Sequence, residues 1–170
     1  MSGVWHHGCC CVQDCEHCTE TPRTVTVTFS DVLACCCSTL KLDLTNLNAE
    51  HELTQDFDEP CYWRATVELE EVYYSDACVT ETSRVPVTCY LTAQKTGEWT
   101  WNIDAHVTTD NVTFDIFNGT ALVEDEEEEL LSNDCMTAAT ATNTYVVGEC
   151  CDGAQENRRG YDGTATVQGV

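Results

Sequence analysis

Five of the fourteen cysteines in this 170-residue chain stand within its first eighteen residues, as Cys9, Cys10, Cys11, Cys15 and Cys18, interleaved with His6, His7 and His17. Thiolates and imidazoles are good zinc ligands, and thiols brought together in an oxidising compartment form disulfides. The other nine are a triplet (Cys35, Cys36, Cys37), a doublet (Cys150, Cys151) and the single residues Cys61, Cys78, Cys89 and Cys135. As a disulfide set, fourteen cysteines allow up to seven bridges, and spacing does not determine the pairing. Adjacent cysteines rarely bond each other, so the triplets read as nodes that tie several segments together. One such arrangement folds the leader back onto the 35–37 and 150–151 clusters. Cys61, Cys78, Cys89 and Cys135 then brace loops and strand ends, and some cysteines are free to link separate subunits.

The alternative is zinc. Cys11-x3-Cys15-x2-Cys18 has usable ligand spacing, and His6 can complete a tetrahedral set, with His7, His17, Cys9 or Cys10 in reserve. A finger or ribbon needs a second matched pair, which is not evident, and such a cluster would not need nine further cysteines. The run Glu124–Glu129 offers hard carboxylate oxygens that suit calcium, although it lacks the alternating acids and central glycine of an EF-hand loop. The ordinary reading of such a run is a solvated loop.

Enzymatic signatures are missing. No Gly-x-Ser-x-Gly, phosphate loop or His-Glu-x-x-His occurs, and carboxylates are too numerous for any one pair to be informative. His51 and His106 are isolated in sequence, as structural histidines usually are. Trp99 and Trp101 share one strand face, where stacking on a sugar is the functional reading and core packing the ordinary one. Asn111-Val112-Thr113 and Asn118-Gly119-Thr120 match the N-glycosylation pattern. No enzyme is expected, and no resident cofactor.

Thirty acidic residues against seven basic ones give a net charge of -23. Such a chain is repelled by nucleic-acid phosphate and by anionic membrane surfaces. No apolar run reaches the length of a membrane span. Met1–Trp5 shows neither a basic segment nor an apolar one, so a secretory signal is not expected. The cysteine content nevertheless suits an oxidising destination. A removed leader, reduced metal-binding thiols inside a cell, or release by lysis followed by oxidation would each reconcile the two. The last of these, the route of virion proteins, needs no missing sequence.

The elements that must position these groups are short strands. Residues 1–21 form a Cys-rich N-terminal arm, too polar to fold without cross-links or metal, and residues 22–170 are of single-domain size. Thr24–Ser30 alternates with Val25, Val27 and Phe29 on one face, and Ser30-Asp31 then suggests a turn. Thr39–Leu44 alternates with Leu40, Leu42 and Leu44 inward, whereas residues 46–52 read as a polar loop. Cys61–Tyr74 places Trp63, Ala65, Val67 and Leu69 on one face and changes parity at Val72, where a bulge is expected. Residues 85–105 form a hairpin around Lys95-Thr96-Gly97. Asn118-Gly119 predicts a second hairpin, between Val112–Phe117 and Thr120–Val123. Asn143–Val147 and Gly163–Val167 close the series. Twenty-five threonines favour strands further. The expected fold is all-β: an antiparallel β-sandwich or jelly-roll-like barrel, disulfide-stapled, with a Cys-rich N-terminal leader.

Several features recur in an order that resembles a loose group of cysteine-rich β-modules found in predicted bacteriophage structural proteins and environmental-bacterial surface proteins. They are Cys15-x2-Cys18, then Pro22–Ser30, a cysteine cluster, Cys61-Tyr62-Trp63, a Trp-centred strand and a closing Gly-Thr-x-Thr-Val strand. The resemblance implies a structural role and transfers no site residue. The expectation is therefore a non-enzymatic building block of an extracellular assembly: a virion component that decorates or cements a capsid, or part of a tail or fibre. Its partners would be other copies of itself or other virion or surface-assembly proteins. A zinc-binding protein organised by the leader, and a secreted carbohydrate-binding or adhesive module using the Trp face, are the alternatives.

Overall fold

Period-two alternation decides the architecture. The computed structural model describes residues 12–34, 40–76, 79–108, 113–122, 135–136, 138–143 and 161–169, and no helix occurs among them. Nine strands follow in order: β1 (Thr24–Ala34), β2 (Leu40–Asp43), β3 (Glu50–Gln55), β4 (Tyr62–Tyr74), β5 (Glu81–Lys95), β6 (Thr100–Thr108), β7 (Thr113–Leu122), β8 (Ala139–Asn143) and β9 (Tyr161–Gly169).

With β2 set aside, each strand pairs antiparallel with the next in sequence, and β9 returns to β1. The order β4-β3-β1-β9-β8-β7-β6-β5 returns to β4 through thirteen β4–β5 pairs, from Tyr62↔Gln94 to Tyr74↔Glu81. The sheet is thus a closed eight-stranded antiparallel barrel. The fold is the expected all-β, disulfide-stapled one, in its barrel form, and its strands run up and down without Greek-key crossings. Only β2 leaves the circuit, lying beside the far end of β4 from Leu40↔Tyr73 to Asp43↔Glu70.

Closure turns one side of every strand inward. Val25, Val27 and Phe29 of β1 meet Leu91, Ile103, Phe117 and Val167 in a core buried almost completely from solvent. Trp63 and Trp101 pack at 5.3 Å with their rings tilted by 45°, and the Phe29 and Phe117 rings meet edge-on at 5.4 Å. An eight-stranded barrel is just wide enough for its interior side chains to fill it. Here they do: even Lys95, 1% exposed, lies inside with its ammonium 5.4 Å from the Trp101 ring centroid.

Three local expectations are corrected. Ser30-Asp31 is no turn, because β1 continues to Ala34 through a bulge in which Asp31 takes a φ of 56°. The Asn48 side chain holds this bulge by bonding both the N–H (2.8 Å) and the carbonyl (2.9 Å) of Val32. Gly163 lies against it, where a Cβ would come within 2.7 Å of the Val32 Cα. Residues 50–52, the end of the expected 46–52 loop, belong to β3, and its inward His51 bonds the Leu47 carbonyl at 2.8 Å and meets Phe29 edge-on. Finally, Asn118-Gly119 sits inside the unbroken strand β7. Its glycine serves packing, since a Cβ there would lie 3.0 Å from the Ala141 Cβ. Near Val72, which is buried, the register shift of the β4–β5 pair falls between Tyr73 and Tyr74.

The described part of the leader, residues 12–23, closes one end of the barrel. Gln13 exchanges two hydrogen bonds with the inward Gln55 (3.0 and 2.7 Å), and the Trp63 indole N–H donates to the Pro22 carbonyl at 3.0 Å. Cys15 is bridged to Cys61 and Cys18 to Cys135, with Cα–Cα distances of 4.8 and 5.3 Å. These bridges span 46 and 117 residues of sequence. The loop-entropy relation assigns closures of that length about 4 and about 5 kcal/mol. Replacing Cys18 and Cys135 together by Ser should therefore cost more stability than replacing Cys15 and Cys61. Urea unfolding of both double variants checks this order.

Candidate functional site

Three side chains with ligand chemistry meet on the outer wall of β6 and β7. Alternation along β6 turns Ile103, Ala105 and Val107 inward, so Asp104 and His106 both face outward. Regular pairing would then place Asp115 and His106 out of step. A bulge corrects this: Ala105 pairs with Phe117 and His106 with Asp115, which leaves Ile116 extra and turned inward beside Phe117. Such bulges re-aim side chains. The result is that Asp104, His106 and Asp115 each offer a ligand atom within 4.8 Å of the others.

The surroundings fix this group. His106 Nδ1 bonds Asp104 Oδ2 at 2.7 Å, and the Asn118 amide donates to Asp104 Oδ1 at 3.2 Å. The Tyr90 ring, from β5, stacks on the imidazole at a centroid distance of 5.4 Å. The Asp104 side chain is 14% exposed, and burial pushes its pKa up to about 6, aided by its hydrogen bond to Asp115 and opposed by His106. One imidazole and two carboxylates can hold a first-row divalent cation, and the cation's charge would replace the proton that the two acids otherwise share.

The cysteines are distributed differently from the expected scheme. Cys15, Cys18, Cys61 and Cys135 are the bridged residues among those described. The leader's partners are thus the loop before β4 and the residue pair before β8. The proposed contacts to the 35–37 and 150–151 clusters involve residues outside the described set, as do Cys9, Cys10, Cys11 and Cys78. Cys89 is corrected outright: it is a free thiol, fully buried on the inward face of β5. Burial, with the negative Asp104 behind it, pushes the thiol pKa up to about 12, so it stays protonated and inert. Its exclusion leaves thirteen cysteines, an odd number, so one chain can close at most six internal bridges rather than seven.

Two members of the zinc set are engaged otherwise. Cys15 and Cys18 are held in bridges to different partners, so neither supplies a thiolate; Cys11 and His6 lie outside the described residues, as does the acidic run 124–129. The Trp face dissolves too, because Trp101 is buried against Trp63 while Trp99 is partly exposed in the β5–β6 turn. A cleft of about 300 Å³ beside β2 holds Arg84 and Lys41. Arg84 is already engaged by Asp43 at 2.8 Å and Glu81 at 2.5 Å, and with the Thr45 hydroxyl it holds the Asp43 carboxyl down at about 2. That guanidinium has little left to offer an anion.

In the sequence His106 has Asp104 as its nearest ligand-type residue. Its tie to Asp104 was legible as Asp-x-His on an alternating strand, but the approach of Asp115 depends on a bulge that no local signal announces. No protein-family model, curated protein or solved structure matches this chain.

The raised Asp104 pKa has a definite sign. A folded-state value of about 6 above the ordinary 3.8 means that the native state holds the proton more tightly. Stability associated with Asp104 is fully present below pH 3.8 and is lost as pH rises through 6. Asp104→Asn, which keeps a donor toward Asp115, should stabilise the protein at pH 8 by on the order of 1–2 kcal/mol. The difference should vanish near pH 3.5, as read from denaturation midpoints of both proteins across that range.

Proposed function

We propose that this chain is a non-enzymatic structural protein, a rigid block in an extracellular assembly, and most specifically a component of a virion. One observation carries the reading: the barrel's interior is filled by its own side chains, and one end is covered by a disulfide-tied leader. Barrels that carry small molecules keep a lumen for them. A packed barrel works through its outer wall and the clefts that open there. That wall is polar, the reverse of the apolar band a lipid-facing barrel presents. Stabilisation by covalent closure suits a protein that must hold its shape outside a cell, where charge repulsion opposes folding. Its neighbours in this reading are other copies of itself or other proteins of the same particle.

The test is to purify the particles released by the producing cells, wash them in high salt and quantify this chain by mass spectrometry. A fixed copy number per particle is the expected result. Recovery only as a free protein would contradict the proposal, as would a reduced, zinc-loaded form retained inside the cell.

A further inference from the structure

Charge is distributed very unevenly over the barrel wall. β3 turns Glu50 and Glu52 outward, β4 carries Arg64, Glu68 and Glu70, and β6 and β7 carry the Asp104, His106 and Asp115 group. Between these borders lies a wall on which no described side chain is charged. It comprises the outward positions of β1 from Thr24 to Ser30, of β9 from Thr164 to Gln168, of β8 from Thr140 to Thr142, and of β7 from Asn118 to Leu122. Eight of these twelve are threonine. Strand register aligns them in rows across the sheet: Thr28, Thr166, Thr140 and Leu122 stand side by side, and Ser30, Thr164 and Thr142 form the next row. Leu122, 53% exposed, ends its row at a cleft of about 360 Å³ between β7 and β8.

We infer that this threonine wall is the surface through which one copy of the chain packs against a second copy. Three physical arguments lead there. First, two bodies of charge -23 repel wherever their acidic walls meet, and among the described residues this is a broad face that carries no charged side chain. Second, every strand of the barrel circuit is flanked on both sides, which restricts the strand edges by which β-proteins commonly associate, although β7 and β8 share a single pair. Among the eight barrel strands that leaves faces, and the four-residue β2 is too short to serve. Third, threonine is stiff at χ1 and its hydroxyl both donates and accepts, so a threonine face can pair with its own two-fold image at little entropic cost. At ordinary strand spacings the wall covers roughly 400 Å², below the roughly 800 Å² per partner of a stable dimer. The contact is therefore weak for a single pair and gains strength by repetition in an array.

This inference rests on the assembly reading but fails separately from it: particle analysis tests membership, and sedimentation of the isolated protein tests this face. The intact oxidised chain would be followed by sedimentation equilibrium up to millimolar concentration, in high salt that screens the acidic walls. Reversible dimerisation is expected, weakened at least tenfold by Thr140→Glu with Thr166→Glu and unchanged by Thr66→Glu on β4. Should the double variant fail to fold, hydroxyl-radical labelling of the unaltered chain serves instead, and Leu122 should become protected as concentration rises. A chain that stays monomeric throughout would overturn the inference. So would a dimer indifferent to the glutamates, or one in which Leu122 stays fully reactive.

Discussion

Everything in this molecule depends on how the leader is held across one end of the barrel. The described residues of the leader are mostly polar, and they reach the barrel through hydrogen bonds that include those of Gln13 with Gln55 and Phe57, of the Pro22 carbonyl with the Trp63 indole, and of the Arg23 carbonyl with the Gln55 N–H. Worth about 1 kcal/mol each in net terms, these would not hold so polar a segment in place. The bridges Cys15–Cys61 and Cys18–Cys135 change the comparison by removing entropy from the unfolded chain. They also join the chain's beginning to two loops far along it, so the eight strands cannot open without stretching the leader. Gly169 shows how closely this end is fitted, since a Cβ there would run into the Cys135 carbonyl.

Covalent closure and charge belong to one problem. A chain of net charge -23 pays for its acidity in self-repulsion, and screening beyond a Debye length of about 10 Å relieves only the longer-range part. The fold answers by turning acids outward on the walls of β3, β4, β6 and β7 and keeping the core almost wholly apolar. Where acids approach one another, as Asp104 and Asp115 do, burial and the neighbouring carboxyl make Asp104 hold its proton more tightly. On the opposite wall the sequence places threonines instead, so the barrel has two electrostatically different sides.

Much of this was legible in the residues, and what was not has physical causes. Strict alternation marked β1, the Trp63–Leu69 face of β4 and the β5–β6 hairpin, because each has one buried side. β3 was hidden because Glu50 and Glu52 flank an inward histidine rather than an apolar residue. Gly119 imitated a turn because close strand packing and tight turns both ask for a residue without a side chain. The bulges at Asp31 and Ile116 depend on partners in other segments, Asn48 and His106, and so does the assembly of the Asp104 site. Cysteine pairing was the least readable feature. Parity of the count suggested full pairing, whereas the barrel interior takes Cys89 as an ordinary small apolar residue.

The most direct measurement is a peptide map of the non-reduced protein, alkylated once in its native state and again after unfolding. A leader that closes the barrel predicts linked peptides joining Cys15 to Cys61 and Cys18 to Cys135, with Cys89 alkylated only after unfolding. A Cys15–Cys18 link, or Cys89 recovered in any bridge, would contradict it, because neither is compatible with a filled barrel tied shut at its end.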